Sequence, residues 1–407
     1  MGVLCERLEG LETGTRLVSV RRLLYLGSTL PQEGPSSSII LQRHFTRLFR
    51  HGWQIGIAHP GNLARPTCWP SEWRSIVLPS RRAWWPPVRP NLPLSQIVRR
   101  WLVGLEINRH FPLQKGDAIM TLLPDFPEEW QKLAAALSHR LAISNLVMVH
   151  DAAEAWTRAA QEQMHFRERT RQRMVKATHA WFISDELASH YGRDGSPNSS
   201  VLRPIPAGFE APSVGWQEHF ASHPVLIHSG KLFPEYFPTL TSIAHQAEQA
   251  GVAFHVVSSS NTEGLKPWLN ENPSITFREF FASNEAGLAF LKRAASMLLV
   301  FYPEPAANCT WSATSFPSKL VEYCHLGLPI LIVASARTAL GRWAASNAWP
   351  TWVESTDNEK FTGMLQRLRH RALWEEAAAA AFRVAESEFS PGLIQAQFER
   401  ELALRPP

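Results

Sequence analysis

Short apolar runs of strand length alternate with helix-period segments along almost the whole chain, and the alternation pauses once near the middle and restarts. Few folds accommodate that pattern. A strand, a helix and a second strand in succession form a right-handed crossover, and repeated crossovers build a parallel sheet covered by helices. "RRLLYLGS" (21–28) reads as a first strand, "TLPQEGPSSS" as a loop, "IILQRHFTRLFRHG" as a helix closed by Gly52, and "WQIGIAHP" as a second strand. "DAIMTLLP" (117–124), "NLVMVHD" (145–151) and "HAWFIS" (179–184) continue the set, with "PEEWQKLAAALSHRLA", a polar stretch to Thr178 and "DELASHYG" as helices. "SVLRPIPAGFE" closes the first half. The second half repeats the scheme. "HPVLIHSGKL", "VAFHVVSSS", "PSITFREF" and "MLLVFYP" are strands, "PTLTSIAHQAEQAG" and "NEAGLAFLKRAAS" are helices, and the tail from Asn358 is helical. Residues 60–115, rich in Pro and Trp, resist assignment.

The prediction is two facing α/β Rossmann-like, doubly wound domains with a cleft between them. An N-terminal extension covers 1–22, a first Rossmann-like domain 23–212, a second Rossmann-like domain 213–385, and a C-terminal helix over 386–407 packs back on the first domain. At 407 residues and 45% hydrophobic, the chain can bury cores for both. It holds no run of ~18 apolar residues, so no span is expected. Glu6, Glu9 and Glu12 and the lack of an apolar stretch argue against a signal peptide. Cys5, Cys68, Cys309 and Cys324 form no CxxC pair, which argues against zinc or a disulfide framework and for a reducing cytoplasm.

Charge is unevenly spread. Between 43 and 113 the chain has eleven Arg against Glu72 and Glu106, a surplus larger than the whole chain's +5. Trp53, Trp69, Trp73, Trp84, Trp85 and Trp101 share the segment. Arg interleaved with Trp suits an anionic interface, phospholipid or nucleic acid. A general preference for Arg over Lys accounts for it equally well. In "SQIVRRWLVGLEINRHF", Ile97, Trp101 and Leu105 recur at four-residue spacing beside Arg99 and Arg100, as in an interfacial helix.

In open α/β sheets ligands sit beyond the carboxyl ends of the strands. The residues there include Gly34, Ser36 and Ser37, His150 and Asp151, Ser229, Gly230 and Lys231, and the stretch "SFPSKLVEYCHLGLPIL" (315–331). In that stretch Pro317 suits the first helical position, Ser315 can cap it, and Gly327 with Pro329 ends the helix before an apolar strand. Lys319 and Glu322 share one face, a cation and a carboxylate where a phosphorylated ligand could lie. A Lys–Glu pair at that spacing is also common on ordinary helix surfaces. No Asp-x-Asp, His cluster or GxSxG elbow accompanies these residues.

"SFPSKLVEYCHLGLPILIV" resembles the donor-binding signature of family 4 retaining glycosyltransferases, which have the glycosyltransferase B fold. "VLIHSGKL", "LVMVHDAAEAW", "HAWFISDELASHYG" and "LLYLGSTLPQEGPSSSIILQRHFTRLFRHGWQIGI" are similar to other parts of that family in order and spacing, so the likeness covers nearly all of the chain outside 60–115. It implies that Lys231 and Lys319 neutralise the donor diphosphate, with Lys231 where the family usually has Arg. Glu322 would hold the ribose, and His150 would contact the donor sugar. Ser229, Gly230, Thr314, Ser315, Phe316, Pro317 and Ser318 would complete the donor site, and Gly34, Ser36 and Ser37 a loop near phosphate or acceptor. His150, Lys231 and Lys319 are thus the catalytic candidates. Thr314 stands near the position of the first glutamate of the family signature.

The implied activity moves a sugar from a nucleotide-diphosphate sugar to an acceptor hydroxyl with retention, in cell-surface polysaccharide or glycoconjugate synthesis. The leaving diphosphate is stabilised without a metal or cofactor. The expected partners are the nucleotide sugar, a saccharide or lipid-linked acceptor and an anionic membrane surface, with no nucleic acid. The expected location is the cytoplasm, including the inner membrane face. Two alternatives stay open: a catalytically weak homologue acting as a binding module, and a nucleotide-sugar epimerase of the same fold.

Overall fold

The computed structural model describes residues 21–34, 36–78, 93–124, 129–152, 154, 160–193, 196, 198–207, 215–305, 310–354 and 357–403. The expected extension over 1–22 therefore lies almost wholly outside the described residues, as do Trp84, Trp85, Arg81 and Arg82.

Two parallel sheets organise the chain. The first contains β1 (Arg22–Leu26), β2 (Gln54–Pro60), β3 (Arg74–Leu78), β4 (Ala118–Leu123), β5 (Ser144–Val149), β6 (His179–Phe182) and β7 (Ser199–Val201), in the order β3-β2-β1-β4-β5-β6-β7. The second contains β8 (Val225–Ser229), β9 (Ala253–Ser258), β10 (Ile275–Glu279), β11 (Met297–Phe301), β12 (Ile330–Val333) and β13 (Trp352–Val353), in the order β10-β9-β8-β11-β12-β13. Both are Rossmann-like, as expected. Strands β4, β5, β11 and β12 are buried at every residue. Helices cover both faces of such sheets, so these strands read as unbroken apolar runs. Strand order reverses between β1 and β4 and between β8 and β11, and these reversals open crevices at the carboxyl ends.

The two units share one core. An apolar cluster runs from Val149, Phe182 and Leu187 of the first to Phe316, Trp343 and Phe389 of the second. The last helix, Pro391–Leu402, places Ile394, Phe398 and Leu402 among Leu23, Tyr25 and Phe45 of the first sheet. His44 Nδ1 meets Gln395 Oε1 at 2.8 Å, and Trp181 Nε1 donates to Glu401 Oε2 at 2.6 Å, which fixes the returning helix.

Several elements differ from the sequence reading. The unassigned segment supplies β3 and the helix Pro93–His110. Trp53, Trp69 and Trp73 are buried core residues, so three of the six Trp serve packing. The helical tail breaks between Arg367 and Arg371 because Leu368 is buried and Arg369 Nε bonds the Ala221 carbonyl. The helices Leu265–Glu271 and Ala339–Ser346 and the two-residue strand β13 carry too few periodic residues to have stood out. Among the described residues no helix is long and apolar enough to cross a membrane.

Candidate functional site

The site lies where the carboxyl ends of the two sheets meet. At the end of β8, Gly230 carries no side chain, and Lys319 fills the space a Cβ would need: its Nζ lies against that position. Any other residue at 230 would push the lysine away. Lys319 Nζ also lies 3.4 Å from His228 Nε2, and His228 Nδ1 lies 3.3 Å from the Leu299 carbonyl. Nδ1 thus carries the proton, and Nε2 accepts from the ammonium. Burial and the neighbouring Lys319 push the His228 pKa well down, which keeps the ring neutral. Burial also pushes Lys319 down to about 7, because a desolvated ammonium has no anion beside it. Tyr323 donates from its hydroxyl to the Ser229 carbonyl at 2.8 Å and pins the loop. Ser229 and Gly230 therefore adjoin Lys319. Lys231 points out to solvent, 5.1 Å above the Phe233 ring, and does not join Lys319 beside Gly230.

The stretch around Lys319 departs from expectation in four ways. Its helix is Ser318–Tyr323, one residue later than predicted, with Pro317 in the cap position and no side-chain cap. Ser315 does not cap it; its hydroxyl donates to Asp151 Oδ1 at 2.7 Å. Phe316 is buried, with Arg203 stacked 4.2 Å from its ring and Trp343 and Phe389 beside it, so it belongs to the core and not to a ligand pocket. Thr314 is buried, and its hydroxyl lies 3.3 Å from the Trp311 carbonyl, turned to its own chain. Gly327, with φ of 71°, ends the turn as expected.

The first domain contributes from β1 and β5. Ser36 and Ser37 open the helix Ser36–Arg50 just after Gly34. Ser37 Oγ lies 3.1 Å from His150 Nδ1, and burial lowers the His150 pKa to about 4. The next residue, Asp151, is raised to about 6 by burial, partly offset by its bond from Ser315. Asp151 was legible as a strand-end residue, but only its contact with the other domain marks it.

Glu322 is engaged differently from the expected free carboxylate. It pairs with Arg43 Nη1 and accepts from the Ala207 N–H at 3.3 Å. Arg43 also donates to the Ile205 carbonyl at 2.8 Å. One arginine thus ties the first helix, the segment between the domains and the Lys319 helix together. Sequence reasoning missed Arg43, which looked like one arginine among eleven. The Ser184 hydroxyl bonds the Thr314 carbonyl, and Arg342 joins Glu186 at 2.9 Å and the Ala313 carbonyl at 2.7 Å, bracing the far side. Among the described residues no three His, Cys, Asp or Glu side chains converge as metal ligands.

No family model and no curated protein matches the sequence. Solved structures do. A glycosyltransferase from Rickettsia africae is similar at 11% identity and a TM-score of 0.66, over 94% of this chain and 98% of that one. The lipopolysaccharide outer core galactosyltransferase WaaB is similar at 13% identity and a TM-score of 0.59, over 94% and 99%. A UDP-forming α,α-trehalose-phosphate synthase from Burkholderia xenovorans is similar at 11% and 0.60, over 94% and 100%. TarM matches at 11% and 0.56, and there this chain spans 58% of the longer protein. The shared architecture is the glycosyltransferase B fold.

Proposed function

We propose that this chain is a retaining glycosyltransferase that takes its sugar from a nucleotide diphosphate and passes it to an acceptor hydroxyl in glycoconjugate or polysaccharide synthesis. The observation that carries the reading is Lys319, a half-buried lysine packed against Gly230 at the crevice of the second sheet with no carboxylate partner among the described residues. A diphosphate entering there would restore its charge and be stabilised by it as negative charge develops on the leaving group. Lys231 at the rim adds a second cation. His150 and Ser37 would face the sugar from the first domain, and Glu322 would exchange Arg43 for the ribose hydroxyls. Structures with this fold support the donor class: TarM from S. aureus was solved with UDP and α-GlcNAc-glycerol, and the pneumococcal O-GlcNAc transferase GtfA with UDP and GlcNAc.

With no Asp-x-Asp in the sequence, the cations supply the neutralisation and the reaction is metal-independent. The epimerase alternative needs paired carboxylates free to act as acid and base. Asp151 is engaged by Ser315, and Glu154 by His190 and Tyr191, which favours transfer. The acceptor is lipid-linked or otherwise anionic, a reading supported by the arginine surplus of the first domain. A panel of nucleotide sugars screened by thermal shift, then by product release with and without EDTA, tests the donor reading. One donor should raise the melting temperature and turn over equally with EDTA. A panel that leaves melting unchanged overturns it. Binding to anionic vesicles that weakens with salt, and with Arg81, Arg82, Arg99 and Arg100 changed to Ser, tests the acceptor reading. No binding at low salt refutes it.

A further inference from the structure

One carboxylate in the cleft has an oxygen to spare. Asp151 follows β5 and His150, and its side chain is half-buried. Its Oδ1 accepts from the Ser315 hydroxyl across the domain boundary at 2.7 Å. Its Oδ2 has no donor among the described residues, yet it is not one of the polar atoms sealed from solvent. That single hydroxyl is all that offsets burial, which raises the carboxyl from 3.8 to about 6. His150 shows the same pattern. Nδ1 lies 3.1 Å from Ser37 Oγ, while Nε2 has no partner among the described residues and is not sealed either. Two adjacent residues thus each commit one polar atom to the fold and leave the other accessible.

Lys319 has the complementary problem. It lacks a carboxylate partner among the described residues, and burial lowers it to about 7. Asp151 and Lys319 do not relieve each other, because burial shifts both and neither acts on the other. Yet Ser315, which bonds Asp151, is only four residues before Lys319, so the Cα atoms of Ser315 and Lys319 are at most roughly 14 Å apart. An ammonium and a carboxylate in one crevice, too far apart to pair and close enough to share a ligand, fit a molecule that is anionic at one end and rich in hydroxyls at the other. An ionised carboxylate only accepts hydrogen bonds, and its bonds from hydroxyls are charge-assisted. Thr314 does not supply this contact, because its hydroxyl is turned to the Trp311 carbonyl.

We propose that Asp151 is a specificity-determining residue for the transferred sugar: its Oδ2 accepts a hydrogen bond from one sugar hydroxyl while Ser315 holds Oδ1. The inference rests on the reading of the cleft as a sugar-nucleotide site and names a sugar contact within it, contributed by the first domain to a ligand whose phosphates lie on the second.

The test is calorimetric titration of the full chain with UDP-glucose, UDP-galactose, UDP-N-acetylglucosamine and GDP-mannose, and with UDP and GDP alone. For the sugar nucleotide that binds best, Asp151→Asn should weaken binding at least tenfold and leave the affinity for its free nucleotide diphosphate within twofold. Asparagine keeps an oxygen for Ser315, so a melting temperature no lower than that of the wild type at pH 7 accompanies the loss. Asp151→Ala, which offers the sugar no polar atom, should lose at least as much. Lys319→Ala should weaken the sugar nucleotide and the diphosphate alike. Deoxyfluoro analogues, each lacking one hydroxyl, locate the contact: one should bind the wild type at least tenfold more weakly than its parent and lose nothing further in Asp151→Asn. Unchanged sugar-nucleotide affinity in both Asp151 variants, an equal loss for the free diphosphate, or no analogue singled out overturns the proposal and leaves the cleft reading standing. No binding by any sugar nucleotide or diphosphate overturns both.

Discussion

Replacing Lys319 by Met should make the free protein more stable and its ligand binding worse. Methionine keeps the length of the side chain and removes the charge. The lysine falls from 10.5 to about 7 in the folded chain. A shift of that size corresponds to a penalty on the order of 5 kcal/mol for holding the ammonium in place. That figure is a ceiling, because the side chain is only partly buried by area. Removing the ammonium also strands His228 Nε2 without a donor, at a cost of about 1–3 kcal/mol. The net gain is therefore about 2–4 kcal/mol at most, several degrees of melting temperature for a domain of this size. Its pH dependence is distinctive. Between pH 7 and 10.5 the unfolded chain keeps a proton that the folded chain has released, so the folded state gains as pH rises. The penalty is full below pH 7 and gone above 10.5. Scanning calorimetry at pH 6, 8 and 10, with and without UDP, reads both effects. The variant should melt above the wild type at pH 6, the gap should close towards pH 10, and UDP should stabilise the wild type alone. A variant less stable than the wild type at pH 6, or a gap that ignores pH, refutes the argument.

Asp151 carries the opposite sign. Its carboxyl is raised from 3.8 to about 6, so the folded chain holds a proton between those values that the unfolded chain has lost, and the penalty is full above pH 6. Asp151→Asn should therefore raise the melting temperature more at pH 7 than at pH 5; the reverse order would show that burial does not govern this group. For the bridge between domains, a double-mutant cycle of Arg43→Met and Glu322→Gln should give a coupling above ~1 kcal/mol in urea unfolding, since both side chains are mostly buried. Additive effects would mean that the pair contributes nothing to holding the domains together.

The strands were legible because a parallel sheet buries both faces, which turns each strand into an apolar run that needs no partner to be recognised. The position of the crevice followed from topology, and with it Gly230, His150, Ser37 and Lys319 as residues near it. What those residues touch was not legible. The six-residue helix at Lys319 starts late because Ser315 is taken by Asp151, a carboxylate from the other domain. Lys319 looked like half of a surface ion pair with Glu322. In the fold the two separate, the lysine against Gly230 and His228, and the carboxylate against Arg43. Helical spacing fixes which face a side chain leaves from, but the partner is chosen by chain distant in sequence, β8 of the same domain for Lys319 and the first helix of the other domain for Glu322. The same reasoning sorts the Trp residues. Trp53, Trp69 and Trp73 flank strands and fall into the core, while composition alone weighed all six alike. A basic or aromatic count locates an interface only after the fold has taken the residues it needs, and here the fold takes three of the tryptophans and Arg43 before any partner can.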